Sequence, residues 1–576
     1  MKHLYLLLCF LVASVSCRAA KACAPSFRAA LADGRSVMLT LCGDEHLNYF
    51  VTDDGEVVLR SSDGTYSIAT DAQKDSMQAV LTELTYRSME SLRSGSSKEV
   101  LSTPHLYYGG ATPHEGRVRI PVIMVQFTDT VFQHTREDVD QLLNSTAYQT
   151  EDKYRGYGSA AQYFSDCSGG KFQPQFDVYG PYTLNNTSKY YCGGAPQNER
   201  NVQIIRDALS KASGDIDFSL YDSDNNATID GICVLYAGWN SNHTANIDDA
   251  WPQSGNDNIG TYGGKGLTRW LKFGEMLGDY SIRDSIGNHR LTGVGVFVHE
   301  FSHMLGLPDF YPNSVDKTEY AKLDNQSMED WDIMDNGENT QLGLYPIPYS
   351  AWEREYMKWS DDLEVLSEPT DVTLVPLMNG GKGLKIFNDN DATGNEFYVL
   401  EAIPNGSKSG WYRYVRGNGM LVTHINYNDH TFKGISYPNN TIGKPGITII
   451  PADGWLPSSY RIKTGITESY GDYLTSNDYN KQLAGDTYPG TSEVTSFNNY
   501  KAYTGTVDKP ITEIKRGEEN FTVTFKFMGG TVGIDGVSAD MDNSADKTYK
   551  ALVGGRFVII KGNNAYTPAG VRCTLP

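Results

Sequence analysis

Two histidines stand four residues apart at His299 and His303, with Glu300 directly after the first, in the segment VFVHEFSHMLGLPDFY from Val296 to Tyr311. On a helix that spacing puts both imidazoles on one face, within reach of a single metal ion. Neutral imidazoles suit zinc, and a zinc ion with an open coordination position activates water for attack on a carbonyl. Glu300 projects toward the same cavity and is placed to take the proton of that water as general base. The chemistry expected of the segment is hydrolysis of a peptide bond.

An HExxH string also arises by chance on surface helices, where it amounts to two solvated histidines and an exposed glutamate. The surrounding residues argue against that here. Val294, Val296, Phe297 and Val298 make the helix apolar before the motif, as a helix buried around a dry metal site must be. Gly306 can take the left-handed conformation that ends a helix, and Pro308 keeps it from resuming. The turn brings Asp309 round to face the metal, ten residues after His299, where extended zinc-peptidase motifs more often have histidine. A carboxylate is an acceptable zinc ligand, so Asp309 is the expected third ligand, with Asp316 and Glu319 as rivals.

The elements that must position these residues fall into five segments. MKHLYLLLCFLVASVSCRAAKA, residues 1–22, has a basic start, a short apolar run and small residues for a signal peptidase, so export is expected. The apolar run is too short to span a bilayer and no later stretch approaches twenty apolar residues, which leaves a secreted or cell-surface protein, with a lipid on Cys17 as the less favoured tether. Residues 23–112 read as a β-rich unit ending in the polar linker LRSGSSKEVLSTP, the pattern of a propeptide that keeps a zymogen silent. Residues 113–360 alternate strands with helical segments, from VRIPVIMVQFTD through GICVLYAGW and the motif to YSAWEREYMKW. Residues 361–528 carry short strands between Gly, Asn and Pro clusters and read as a β-sandwich. Residues 529–576 are a polar linker with a small β-unit or a sorting tail.

Between the strands lies a second site. Asp222, Asp224, Asn226, Thr228 and Asp230 place oxygen side chains at alternate positions, as a calcium loop does, although Ala227 replaces the usual glycine and no glutamate closes the loop. The chain has 49 lysines and arginines against 70 aspartates and glutamates, an excess of 21 negative charges that argues against nucleic acid as partner. Of the cysteines, Cys23 with Cys42 and Cys167 with Cys192 are the local pairs expected if disulfides form, free buried thiols being nearly as well supported. A less favoured reading puts the thiolate of Cys23 or Cys42 on the zinc.

HEFSHMLGLPDFY, followed by SMEDWDIMDNG, resembles the immune-inhibitor-A-like M6 family of zinc metallopeptidases. The likeness extends to GSAAQYFSDCSGGKFQPQFDVYGPYTL before the helix and to PIPYSAWEREYMKW, NEFYVLEAIPN and GNGMLVTHINYN after it, roughly from Arg117 to Pro489. It implies a metzincin-like lower half in which Met334 forms a methionine turn packed beneath the zinc, and it supports the calcium reading of the aspartate-rich loop. Ser302 departs from the glycine often found in relatives, yet it is small. No tyrosine follows Met334 at the place where some metzincins stabilise the oxyanion, so Tyr311, Tyr345 and Tyr349 are only candidates.

The expected protein is thus α+β: a metzincin-like zinc peptidase domain of mixed sheet and active-site helix, with an N-terminal β-rich propeptide and a C-terminal β-sandwich. Its expected function is that of a monomeric, secreted, zinc- and calcium-binding endopeptidase acting on proteins or peptides. The alternative is an inactive surface adhesion or glycan-binding protein that keeps the fold and binds through its 37 tyrosines.

Overall fold

The computed structural model describes residues 17–18, 20–77, 112–146, 156–312, 327–454, 476–530 and 548–573, apart from short stretches within them. The hydrophobic start of the leader, the linker after residue 90, and Asp316 and Glu319 lie outside the described residues. Residues up to Gly530 form one compact unit and residues from Thr531 a second.

The centre of the first unit is a six-stranded mixed sheet. Its strands are β1 (Cys17–Arg18), β7 (Gly116–Gln126), β8 (Phe172–Thr183), β9 (Ile232–Tyr236), β10 (Gln253–Tyr262) and β11 (Lys265–Gly274), in the order β1-β10-β11-β9-β7-β8. The β7–β8, β7–β9 and β9–β11 pairs are parallel, whereas β10 runs antiparallel to β11 and β1 antiparallel to β10. Strands buried on both faces should read as continuous apolar runs, and β7 and β9 do. Along β7, Val118, Ile120, Val122 and Met124 enter one core while Ile123 and Val125 enter the other.

Helices cover both faces. On one lie α1 (Arg136–Asn144), α2 (Ala160–Cys167) and α4 (Gly295–Leu305); on the other lies α3 (Asn201–Ala212), which buries Ile204, Ile205, Ala208 and Leu209. Ser159 caps α2 by accepting from the Gln162 amide, and Thr135 forms a capping box with Asp138 on α1. The opposite faces explain the cysteines: Cys167 belongs to one core and Cys192 to the other, so the central sheet stands between them. Cys167, Cys192 and Cys23 are free thiols, so neither of the two expected disulfides is formed.

Every residue of α4 is buried. Gly295, in its first turn, donates its N–H to the Gly343 carbonyl (2.8 Å), and a Cβ there would sit 2.0 Å from the Glu338 carbonyl oxygen. Gly295→Ala is therefore expected to destabilise the unit by about 3 kcal/mol, the upper end of a typical overpacking cost, read as a lowered denaturant midpoint with an unchanged slope.

The N-terminal strands β2 (Phe27–Ala30), β3 (Ser36–Gly43), β4 (Asn48–Thr52), β5 (Val57–Arg60) and β6 (Tyr66–Ile68) make an antiparallel meander. Its apolar face packs on Trp251, at the start of β10. After α4, α5 (Ala351–Tyr356) leads into β12 (Glu364–Val365), β13 (Thr370–Leu374), β14 (Leu384–Phe387), β15 (Glu396–Ile403), β16 (Gly419–Asn426), β17 (Ile447–Ile449), β18 (Tyr488–Pro489), β19 (Ile511–Arg516) and β20 (Val523–Phe527). These form a sheet ordered β12-β14-β15-β16-β17, with β18 also on β16, and a smaller sheet ordered β13-β20-β19.

Packing continues across Ser360, where the sequence pattern changes. All eight residues of β15 are buried: Phe397 and Val399 point into the core that holds α4, while Tyr398 and Leu400 point toward β19 and β20. The second unit is a four-stranded antiparallel meander, β21 (Thr548–Val553), β22 (Arg556–Lys561), β23 (Asn564–Tyr566) and β24 (Arg572–Cys573).

Candidate metal centre and cleft

The helix α4 puts His299 and His303 one turn apart, and Gly306 ends it as expected, in the left-handed region at φ 113°. Its N–H donates to the carbonyls of Ser302 and His303 (both 3.0 Å), and the chain folds back so that Asp309 meets the two rings. One ligand atom from each of His299, His303 and Asp309 lies within 4.8 Å of the others, and all three residues are buried.

What surrounds the rings decides how they present themselves. His299 Nδ1 lies 2.8 Å from the Ile333 carbonyl and His303 Nδ1 lies 2.8 Å from the Leu307 carbonyl. A carbonyl only accepts, so each Nδ1 carries the hydrogen and each Nε2 presents a lone pair. The Nε2 atoms stand 3.4 Å and 3.2 Å from Asp309 Oδ1. Two imidazole nitrogens and a carboxylate that converge away from water suit a shared cation. Burial alone would lower the proton affinity of His299, yet the carboxylates of Glu338, Asp309 and Glu300 raise it well above the usual imidazole range. Two imidazoles and one carboxylate form a donor set that could hold a metal ion through three protein ligands.

The ligands are braced from below. Phe310 donates its N–H to the Met334 carbonyl (2.8 Å), and Asp332 Oδ1 accepts the Met334 N–H (2.8 Å). Met334 is fully buried, and the Ile333–Met334 backbone thereby holds both His299 and the turn that carries Asp309. Glu338 Oε2 lies 3.9 Å from His299 Nδ1, and burial pushes this carboxyl up to about 7 despite the nearby imidazole. Nothing in the spacing of WDIMDNGENT marks Glu338 as part of the centre.

Glu300 is fully buried, and its Oε1 accepts the backbone N–H of Ala20 at 2.8 Å. The N-terminal segment thus runs through the cleft. Cys17 and Arg18 pair with Gly255 and Ser254 on the edge of β10. The Trp251 indole donates to the Ala20 carbonyl (2.9 Å), the Asn242 amide to the Lys21 carbonyl (3.4 Å), and Cys23 N–H to the Asn242 carbonyl (2.9 Å). Cys23 Sγ bonds Asn339 Oδ1 (3.3 Å), and neither Cys23 nor Cys42 belongs to the metal cluster, so a thiolate on the metal finds no support.

The candidate tyrosines are placed as follows. Tyr349 hydrogen-bonds the Ser302 hydroxyl and packs against Tyr163, Phe164 and Trp359, so both Ser302 and Tyr349 serve the packing of α4. Tyr345 packs edge-on against Tyr414 and at a tilt against Tyr157. Tyr311 lies below Lys21, whose Nζ is 5.6 Å from the ring centre.

At the other predicted site, carboxylate oxygens of Asp222, Asp224 and Asp230 also come within 4.8 Å of one another. Burial first, then the charges of Asp224 and Asp222, pushes Asp230 up to about 6. The Lys265 ammonium already rests on Asp222, the Asn226 amide donates to Asp224 (2.8 Å), and Thr228 donates its N–H to Asn226 Oδ1 (2.8 Å).

Residues 119–361 match the sequence model of the immune inhibitor A peptidase M6 catalytic domain. Pre-pro-metalloprotease PrtV of Vibrio cholerae serotype O1, in strains M66-2 and El Tor Inaba N16961, is 24% identical over 242 residues. That alignment covers 38% of this chain and 25% of the relative's length. Among the described residues no helix is long and apolar enough to cross a membrane.

Proposed function

From the membership of residues 119–361 in the M6 metallopeptidases, we propose that this chain is an exported zinc endopeptidase that hydrolyses peptide bonds of proteins. One observation carries the reading: Glu300 holds a peptide N–H beside a buried cluster of two imidazole lone pairs and a carboxylate. His299, His303 and Asp309 would hold the ion, which when bound supplies a Lewis acid for the substrate carbonyl and for water. Glu300 takes the proton of the attacking water and delivers it to the amide nitrogen that leaves, the position Ala20 N–H now marks. Met334 is read as the methionine turn and Glu338 as the group that orients His299 through its Nδ1 side. The stacked sheets β12–β20 are read as a β-sandwich, and the leader and meander before the peptidase region as removable segments. Casein hydrolysis that stops with 1,10-phenanthroline and returns with zinc tests the reading; hydrolysis indifferent to the chelator would defeat it. Against the adhesion alternative stands the buried cluster itself, whose residue types are those a hydrolytic site needs.

Calcium on Asp222, Asp224 and Asp230 is part of the same proposal, with Asn226 and Thr228 completing the loop; the ion would take over the role of Lys265. A ligand bound only by the folded state raises its melting temperature. Calcium is expected to raise the midpoint by a few degrees over EGTA, and Asp230→Asn to abolish that response. An identical midpoint with and without calcium would remove the ion from the account.

A further inference from the structure

The segment that crosses the cleft is held mainly through its backbone. Its strand pairs with the open edge of β10, the mode by which sheet edges capture extended peptides. Trp251 and Asn242 grip the carbonyls of Ala20 and Lys21. A track built on main-chain atoms accepts any sequence, so selectivity must come from what the side chains meet.

Lys21 meets a built recess. Its Nζ lies 2.9 Å from Asp335 Oδ1, and Asp335 is fully buried immediately after Met334. The other oxygen, Oδ2, is fixed by the Ser327 hydroxyl and by the N–H groups of Met328 (2.9 Å) and Glu329 (3.0 Å). Oδ1 is thereby turned toward the ammonium. Glu329 and Asp330 add negative charge around it and, together with Asp335, raise the proton affinity of Lys21 against the opposing effect of burial. The Tyr311 ring adds a face suited to a cation.

We propose that Asp335 is the floor of a subsite for a basic side chain, which makes the enzyme prefer lysine or arginine at the second residue after the scissile bond. The position follows from the base. Glu300 must deliver its proton to the leaving nitrogen, and the nitrogen it faces in this track is that of Ala20. A substrate in the same track therefore breaks its chain at the nitrogen that takes the place of the Ala20 N–H, and its second residue beyond the break occupies the place of Lys21. The proposal rests on the peptidase reading above and adds its substrate class.

The test uses the full zinc-loaded chain with Lys21→Gln, which weakens the hold of the resident segment, against a mixed peptide library. The new amino termini of the products are then sequenced. Lysine and arginine are expected at the second position at least about tenfold above input, as for a charge-assisted contact to a buried carboxylate. That enrichment should disappear when Asp335→Asn is added. Cleavage with no basic preference at that position overturns the subsite and leaves the peptidase standing. No cleavage of any peptide overturns the peptidase reading and this one with it. Hydrogen exchange of residues 20–25 gives a readout independent of activity: Lys21→Gln and Asp335→Asn, each alone in the full chain, are expected to speed it at least about tenfold, and unchanged exchange in both would show that Asp335 does not recognise the lysine. Should the Asp335 variant fail to fold, the profile from Lys21→Gln alone decides.

Discussion

Glu300→Gln is expected to bind one equivalent of zinc and to lose essentially all hydrolysis, about 100-fold to 10,000-fold in kcat, the range attributed to a positioned general base. The substitution keeps the shape of the side chain, and an amide oxygen can still accept the Ala20 N–H as Oε1 does now. What it removes is the capacity to take a proton from water. Since Glu300 is not among the three converging ligands, metal content should be unchanged. Metal analysis beside a casein assay measures both quantities on one sample. Retained activity in the purified variant would move the base elsewhere.

Asp309→Ala carries the second large expectation: a zinc affinity lowered by more than about 100-fold, since losing a direct ligand should exceed the cost of losing an outer partner, and activity lost with it. The two histidines keep their orientation from the Ile333 and Leu307 carbonyls, so the cavity survives with two neutral ligands and no carboxylate to balance the ion. Titration against a competing chelator gives the affinity. If the variant still holds zinc tightly and cleaves casein, the third ligand lies in the segment around Asp316 and Glu319.

The expectations for the two substitutions differ because the residues do different things to the same ion. Loss of Glu300 leaves a loaded and silent site, whereas loss of Asp309 leaves a site that fails to load. A protein that merely retained the fold for adhesion would show neither effect on hydrolysis.

The motif itself was legible because its chemistry is local. Four residues along a helix is one turn, so His299 and His303 share a face whatever the rest of the chain does, and Gly306 turns the backbone wherever a helix must end before a proline. The apolar runs of β7 and β9 likewise declare burial on both faces. The hairpin β10–β11 was harder to see: QSGNDNIGTY is polar, because β10 is near the sheet edge and needs few apolar residues. The continuity of packing past Ser360 was not legible, because β15 is buried on two sides and its sequence cannot say that one of those sides faces the core that holds α4.

By itself, the sequence determined which residues could bind zinc and act as base: His299, Glu300 and His303 by helical periodicity, and Asp309 by the turn after Gly306. Only the tertiary structure decided what lies around them. Glu338 beside His299, Asp335 beneath Lys21, and Trp251 and Asn242 along the cleft come from segments tens to hundreds of residues away. Sequence spacing carries no record of such contacts, which exist only once the sheet, the active helix and the loop after Met334 have packed together.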